Sequence, residues 1–226
     1  MATLNSQREK TLKLLSQVVP KEFAMRLQDG ESRISFSAGI GTVMTVILTD
    51  YVQLVDSAHG ADEFIITFRM RVDKLLKEHP NITMIWSIEG KFLFIAGLFN
   101  DEQNGRTEAL DTFKFGVAFH GMAAEVFEEF GQPANVQYGV CTGGPIYCKL
   151  LMESPPILMV SEDTYHISRK IVKMARPGEL IIERTTYECI YGVNIDATMA
   201  GDFEYNGRHT SLYRIPMHSI SDLNGN

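Results

Sequence analysis

The chain has 226 residues, a net charge of −7 and 45% apolar residues, which is the balance of a globular protein with its own core. Acidic residues outnumber basic ones by 28 to 21, which disfavours a nucleic-acid-binding protein and an electrostatic membrane anchor. The longest apolar stretches, 43–48 and 92–99, fall well short of the about 20 residues that span a bilayer. We therefore expect a cytoplasmic protein without a membrane span.

The cysteine pattern argues against two further classes, disulfide-rich and zinc-stabilised proteins. The chain has three cysteines, Cys141, Cys148 and Cys189, an odd number at wide spacing and without a CxxC pair. This pattern indicates reduced thiols rather than a disulfide framework or a structural zinc site. The polar N-terminus, 1–10, lacks the apolar region of a signal peptide.

The first 30 residues are predicted to form a helical segment that leads into the main domain. Ser6 and Glu9 have the spacing of a capping box, which predicts a helix start at Ser6. Pro20 predicts the first position of a second helix, and Gly30 predicts its end. We assign 31–218 to one domain and 219–226 to a polar tail.

Apolar periodicity predicts the order of elements in the main domain. The first six are a strand Val43–Tyr51, a helix Ala61–His79, strands Ile82–Ile88 and Phe92–Phe99, a helix Thr107–Phe130 and a strand Val136–Thr142. This β-α-β-β-α-β order is the split unit of ferredoxin-like α+β folds, in which the first and third strands are antiparallel neighbours. The end of the first strand should therefore lie beside the turn Glu89–Lys91.

A C-terminal extension follows this unit. Its predicted elements are a strand near Ile157–Val160, a helix Asp163–Met174, a strand Glu179–Glu183, a helix Thr185–Tyr191 and a strand Ser211–Ile215.

Five motifs in this order resemble the class III adenylyl/guanylyl cyclase catalytic domain. They are the leading segment 14–30, Thr45-Val-Ile-Leu-Thr-Asp50, Ile88-Glu-Gly-Lys-Phe-Leu-Phe-Ile-Ala-Gly97, Tyr138-Gly-Val-Cys-Thr-Gly143 and Pro177-Gly-Glu-Leu-Ile-Ile with Thr186-Tyr187. The resemblance covers about 12–215 and implies a nucleotide cyclase-like fold.

The resemblance also implies a chemistry: a ribose 3′-hydroxyl attacks the α-phosphate of ATP or GTP, and two metal ions clamp the reacting oxygens. Two carboxylates hold those ions in the family. Asp50 matches the first, whereas Gly90 stands at the second position. Glu89 is adjacent, but a shift of one residue at a strand normally turns the side chain to the opposite face.

The remaining family positions are also altered. Trp86 and Met159 fall at the two base-reading positions, where neither supplies the hydrogen bonds that read a purine. His166 replaces the Asn that orients the ribose, and Lys170 replaces the Arg that stabilises phosphate charge. In the late phosphate loop near 201–208, Arg208 is the one basic residue.

We therefore expect a catalytically degenerate cyclase homology domain, a pseudocyclase that acts as a regulatory or scaffold protein in cyclic-nucleotide signalling. Its partner would be a second cyclase-type domain, the same or different, in a head-to-tail dimer. No cofactor is expected, and Mg²⁺ or Mn²⁺ would bind only with residual nucleotide. Two alternatives stay open: a subunit of a heterodimeric cyclase, and a structural component of a ciliary or cytoskeletal assembly.

Overall fold

The computed structural model describes residues 2–51, 55, 61–152 and 157–220. Helices run over α1 (Ala2–Leu15), α2 (Lys21–Gln28), α3 (Ala61–Glu78), α4 (Gly105–Glu129), α5 (Asp163–Ile171) and α6 (Arg184–Cys189), with 3-10 turns at Val172–Met174 and Met217–Ser219. Strands run over β1 (Ile34–Ala38), β2 (Gly41–Leu48), β3 (Ile82–Ile88), β4 (Lys91–Ala96), β5 (Val136–Gly143), β6 (Ile146–Leu151), β7 (Ile157–Ser161), β8 (Glu179–Glu183), β9 (Thr198–Tyr205) and β10 (Arg208–Pro216). Of the predicted polar tail, 221–226 lie outside the described residues. No helix in the described ranges has the length and hydrophobicity to cross a membrane.

A mixed α+β architecture is built on a sheet of seven strands in the order β3-β4-β2-β5-β8-β10-β9. The first four strands have the predicted ferredoxin-like arrangement, with β2 antiparallel to both β4 and β5. Ile47 pairs with Lys91, and the Leu48 N–H donates to the Gly90 carbonyl at 2.8 Å. The end of β2 thus lies beside the β3–β4 turn, as the topology predicted.

Within the described residues, a smaller sheet, β1-β6-β7, is not hydrogen-bonded to the large one but packs against it. Two of its strands, β1 and β6, were missing from the predicted elements, as was β9. Strand β6 alternates buried and exposed residues along Ile146–Leu151, the pattern of a strand with one face on the core. In the sequence itself, Ile-Tyr-Cys-Lys-Leu-Leu, the alternation of apolar and polar residues is a weak signal over only six residues.

Phenylalanine rings fill the core between the large sheet and helices α3 and α4. Phe94 and Phe115 have ring centroids 4.8 Å apart, and Phe119 lies 5.7 Å from Phe94. Edge-to-face pairs of this kind add about 0.5–1.5 kcal/mol each beyond the area that they bury. The opposite face of the sheet packs on α2 and the small sheet, where Phe23 lies 4.7 Å from Phe36. Both layers pack on β2 and β4, and this packing positions the strand ends next to Asp50 and Gly90.

Element boundaries differ from the predicted ones mainly at turns. Helix α1 already includes Ala2, so Ser6 lies inside it and the predicted capping box does not start it. Pro20 is the residue before α2 rather than its first residue. Strand β2 ends at Leu48, three residues before the predicted end, because the chain turns at Thr49 and Asp50.

Candidate functional site

Asp50 is the second residue after β2, where the resemblance places the first metal ligand. Its carboxylate accepts a hydrogen bond from the Asn135 side-chain amide. The Asn135 carbonyl in turn accepts from the Thr49 backbone N–H at 2.9 Å and from its hydroxyl at 2.7 Å. Asp50 therefore has a structural partner of its own: it helps to fasten the residue before β5 to the end of β2.

Gly90, at the second metal position, has no room for a side chain. Its φ is +71°, a conformation that favours glycine. A Cβ built on Gly90 would lie 2.5 Å from both Cβ and Cγ of Tyr51. These atoms are close to the Tyr51 backbone, so the ring cannot swing away freely. The aromatic ring occupies the space into which a carboxylate at position 90 would have to extend.

Glu89, the carboxylate next to Gly90, lies in the turn between β3 and β4. It is exposed and has a φ of +48°, in the left-handed region of the β3–β4 turn. Two-metal chemistry needs converging anionic oxygens. Within the described part of the chain, no group of three or more His, Cys, Asp or Glu residues could hold a metal ion. Among the residues that the structure describes, those at this end of the sheet do not fit the two-metal centre that the resemblance implies.

Helix α5 brings His166 and Lys170 together, one turn apart, on a single aromatic ring. The His166 ring stacks on Tyr205 of β9 with centroids 6.1 Å apart, and the Lys170 Nζ lies 4.3 Å from the centre of the Tyr205 ring. A cation over an aromatic face is stabilised by about 0.5–1 kcal/mol at an exposed site. Both family positions therefore face the β9–β10 hairpin.

The two positions that would read the base lie on different sheets. Trp86 is partly buried on β3, packed against the apolar cluster that contains Ile85 and Leu93. Met159 lies on β7 opposite Lys149 and is half-exposed. Trp86 offers one N–H donor and Met159 only a weak acceptor, so the pair lacks the complementary hydrogen-bonding edge that a purine needs.

The late loop forms the β9–β10 hairpin. Asn206 and Gly207 both have positive φ, +50° and +76°, as the two-residue turn of a twisted hairpin requires. Arg208 follows this turn, and its guanidinium lies 3.5 Å from the Thr185 hydroxyl. Arg208 therefore donates to a hydroxyl on α6.

The cysteines offer no nucleophile at this site. Burial raises the pKa of the Cys148 thiol to about 12 and that of Cys141 well above its usual value. The pKa of Cys189 is also raised, chiefly by burial. A thiol that stays protonated at neutral pH is a poor nucleophile and a poor metal ligand.

Three residues that sequence reasoning missed define the site: Tyr51, Asn135 and Tyr205. Tyr51 follows Asp50 directly in the sequence. A bulky aromatic residue next to the first metal position was the signal that could have indicated a filled site. Asn135 and Tyr205 act across long sequence separations, which a single sequence does not reveal.

Glu162, just before α5, has a backbone conformation that is typical of glycine. Its φ of +103° and ψ of 160° lie in a region that is essentially restricted to glycine and costs a side chain about 1–3 kcal/mol. We expect Glu162→Gly to raise the free energy of unfolding by about 1 kcal/mol, after the extra chain entropy that glycine adds to the unfolded state. Urea unfolding of both proteins measures this.

The matched control is Ser161→Gly, one residue earlier on β7. This change relieves no backbone strain, and it should lower the free energy of unfolding because glycine weakens a strand. A Glu162→Gly protein no more stable than the wild type would contradict the prediction.

Known proteins show a limited likeness to this chain in sequence. No family model matches the chain. The soluble guanylate cyclase gcy-31 of Caenorhabditis elegans is 21% identical over 195 residues, which are 84% of this chain and 27% of that protein. The chain thus spans about a quarter of the length of this curated relative.

Solved structures give the stronger likeness. The adenylyl cyclase CyaB of P. aeruginosa superposes with a TM-score of 0.67 at 15% identity, over 82% of this chain and 96% of that one. A non-canonical dimeric guanylyl cyclase domain of the RhoGC fusion protein from the aquatic fungus Blastocladiella emersonii gives a TM-score of 0.65 at 16% identity, over 79% and 97% of the two chains. At these identities the likeness establishes the fold.

Proposed function

We propose that this chain, which has the fold of the class III adenylyl and guanylyl cyclase catalytic domains, is a catalytically degenerate form of such a domain. It acts as a regulatory or scaffold protein in cyclic-nucleotide signalling, through the surface that cyclase domains use to dimerise. The site residues that would carry the reaction are altered or engaged elsewhere.

The observation that carries the proposal is the packing of Gly90 against Tyr51. Loss of a metal-binding carboxylate removes charge stabilisation that phosphoryl-transfer chemistry depends on. Here the loss is compounded, because the Tyr51 ring fills the space and Glu89 is turned outward in the hairpin. The contact of Lys170 with Tyr205 supports the same reading, because its charge is already held by an aromatic ring.

The small sheet supports the dimerisation part of the proposal. Its outer face carries Tyr147 and Met159, whose exposed fractions are 46% and 50%. Tyr147 pairs with Ser161 and Met159 with Lys149, so the register places these side chains on one face. Clustered apolar side chains on an exposed sheet face are typical of an interaction surface.

Activity and assembly of the purified full chain test the proposal. We expect no cyclic AMP or cyclic GMP above a protein-free control when the chain is incubated with ATP or GTP and Mg²⁺ or Mn²⁺. Gly90→Asp, which returns the family carboxylate, should gain no activity because the new side chain collides with Tyr51. Sedimentation velocity should show a dimer that Met159→Lys weakens.

An active cyclase domain serves as the positive control for product detection. Product formation by the wild-type chain would refute the loss of catalysis. A chain that stays monomeric at high concentration would refute homodimerisation, and gain of activity only beside a second cyclase chain would favour the heterodimeric alternative.

A further inference from the structure

Strand β3 is the outermost strand of the large sheet in the described parts of the chain. Its seven residues, Ile82–Ile88, read Ile-Thr-Met-Ile-Trp-Ser-Ile, with no charge, no proline and no glycine. Edge strands in soluble proteins are usually short, charged, or interrupted by proline or a β-bulge, because their free N–H and C=O groups recruit other strands. Strand β3 has one irregularity, a shift of its register against β4 between Met84 and Trp86, but it carries no charge along its whole length. An uncharged edge of this length indicates a strand that a partner covers.

A groove of about 1350 Å³ runs along this edge. One wall is formed at the α1–α2 junction, with Val18 and Val19, and the other by α3, with Phe64 and Phe68. The volume exceeds the about 300–1,000 Å³ of small-molecule sites. The two walls belong to the apolar layers on opposite faces of the sheet. Since side chains alternate along a strand, an added strand would direct successive side chains to the two walls.

Exposed apolar side chains gather at the same groove. Val18, Ile88 and Ile157 line it and are 71%, 60% and 44% exposed. A bound segment that covers these side chains removes apolar surface from water, which favours the complex. The groove therefore offers both an open backbone edge and apolar surface to the same occupant.

The charged side chains around the groove indicate which charges a bound segment should carry. Lys13, Lys21 and Lys77 are exposed around the groove, against the two glutamates Glu22 and Glu89. Arg69 also lines it, but it is paired with Asp73 at 3.2 Å. The excess of lysines, in a chain of net charge −7, favours acidic residues at the ends of the bound segment.

We propose that this groove binds an extended, apolar segment of a partner protein, flanked by acidic residues, which adds to the large sheet as a strand beside β3. Main-chain hydrogen bonds to the edge supply affinity, and the two apolar walls select the side chains. This interaction goes beyond the proposed function and does not depend on whether the chain is catalytic.

A displayed peptide library tests the proposal on the full chain. The probe is a set of peptides of about ten residues with an acidic residue fixed at each end and a random centre. It is selected on the wild type and counter-selected on Ser87→Lys, which places a charge on the groove side of β3. We expect enriched centres rich in β-branched and aromatic residues. Their binding should be about tenfold weaker on Ser87→Lys, since a lysine would be desolvated in the groove.

Two readouts identify the mode of binding. Trp86 is the sole tryptophan and lines the groove, so its emission should shift to the blue when an enriched peptide binds. Backbone amides of β3 should exchange with deuterium about tenfold more slowly in the complex. Met199→Lys, an exposed change on the opposite edge strand β9, is the matched control and should bind like the wild type.

Three outcomes would overturn the proposal. One is a library with no sequence enriched on the wild type over Ser87→Lys. Another is binding that leaves β3 amide exchange unchanged, which would assign the groove to a ligand held by side chains alone. The third is a shift of Trp86 emission with protein concentration and no peptide, which would assign the groove to a second copy of the chain.

Discussion

Gly139→Ala should lower the free energy of unfolding by about 3 kcal/mol, the upper part of the range for overpacking a close-packed core. A Cβ at Gly139 would lie 2.6 Å from the Val172 backbone nitrogen and 2.7 Å from the Ser168 carbonyl oxygen. Both contacts are with backbone, so no side chain can rotate to make room. The end of α5 would have to move away from β5.

That movement would also break a buried polar chain. The Ser168 hydroxyl donates to the Gly139 carbonyl at 3.0 Å and lies 2.7 Å from the Thr45 hydroxyl of β2. Urea unfolding measures the change. Gly121→Ala in α4, where a Cβ meets nothing within 4 Å, is the matched control and should raise stability by up to about 1 kcal/mol. A Gly139→Ala protein as stable as the wild type would show that α5 does not seat on β5 this closely.

Glu183→Ala should cost about 3 kcal/mol, because it removes a fully buried helix cap and leaves several donors without partners. One carboxylate oxygen accepts from the Thr186 N–H at 2.7 Å and hydroxyl at 2.8 Å, and the other accepts from the Thr185 N–H at 2.6 Å. The Thr142 N–H of β5 lies 3.3 Å from the same carboxylate. Glu183 thus ties the start of α6 to the centre of the sheet.

Glu188→Ala on the exposed side of the same helix separates this effect from a general loss of charge. Glu188 pairs with Arg184 in solvent, so its removal should leave urea unfolding close to that of the wild type. Glu183→Gln should fall between the wild type and Glu183→Ala, since the amide keeps one acceptor oxygen. Equal stability of Glu183→Ala and Glu188→Ala would contradict the role assigned to the buried cap.

The element order followed from the sequence because apolar periodicity was strong where elements pack on both layers of the core. The predicted strand Ile82–Ile88 and the predicted strand Glu179–Glu183 match β3 and β8 residue for residue. The missed strands are of another kind. Strand β9 has no fully buried residue along Thr198–Tyr205, so its pattern carried little apolar signal, and it is held mainly by pairing with β10.

The candidate site also has one part that could be predicted from the sequence and one part that could not. The meeting of Asp50 with the β3–β4 turn could be predicted, because strand order alone fixes it. What fills the space there could not, since Tyr51 reaches Gly90 across nearly forty residues of chain. The cover of Tyr205 over Lys170 depends likewise on a hairpin whose docking on α5 is set by tertiary packing.

The central position of β2 has a consequence for how the chain is made. Thr45 pairs on one side with Leu93 and on the other with Gly139, so both neighbours of this strand are synthesised long after it. At about 5–20 residues per second, the ribosome takes roughly 5–20 s to pass from β2 to the end of β5. During that interval the apolar run Val43–Leu48 has no completed sheet to enter. Productive folding of the nascent chain thus depends on keeping this early segment from associating with other chains until the late partner emerges.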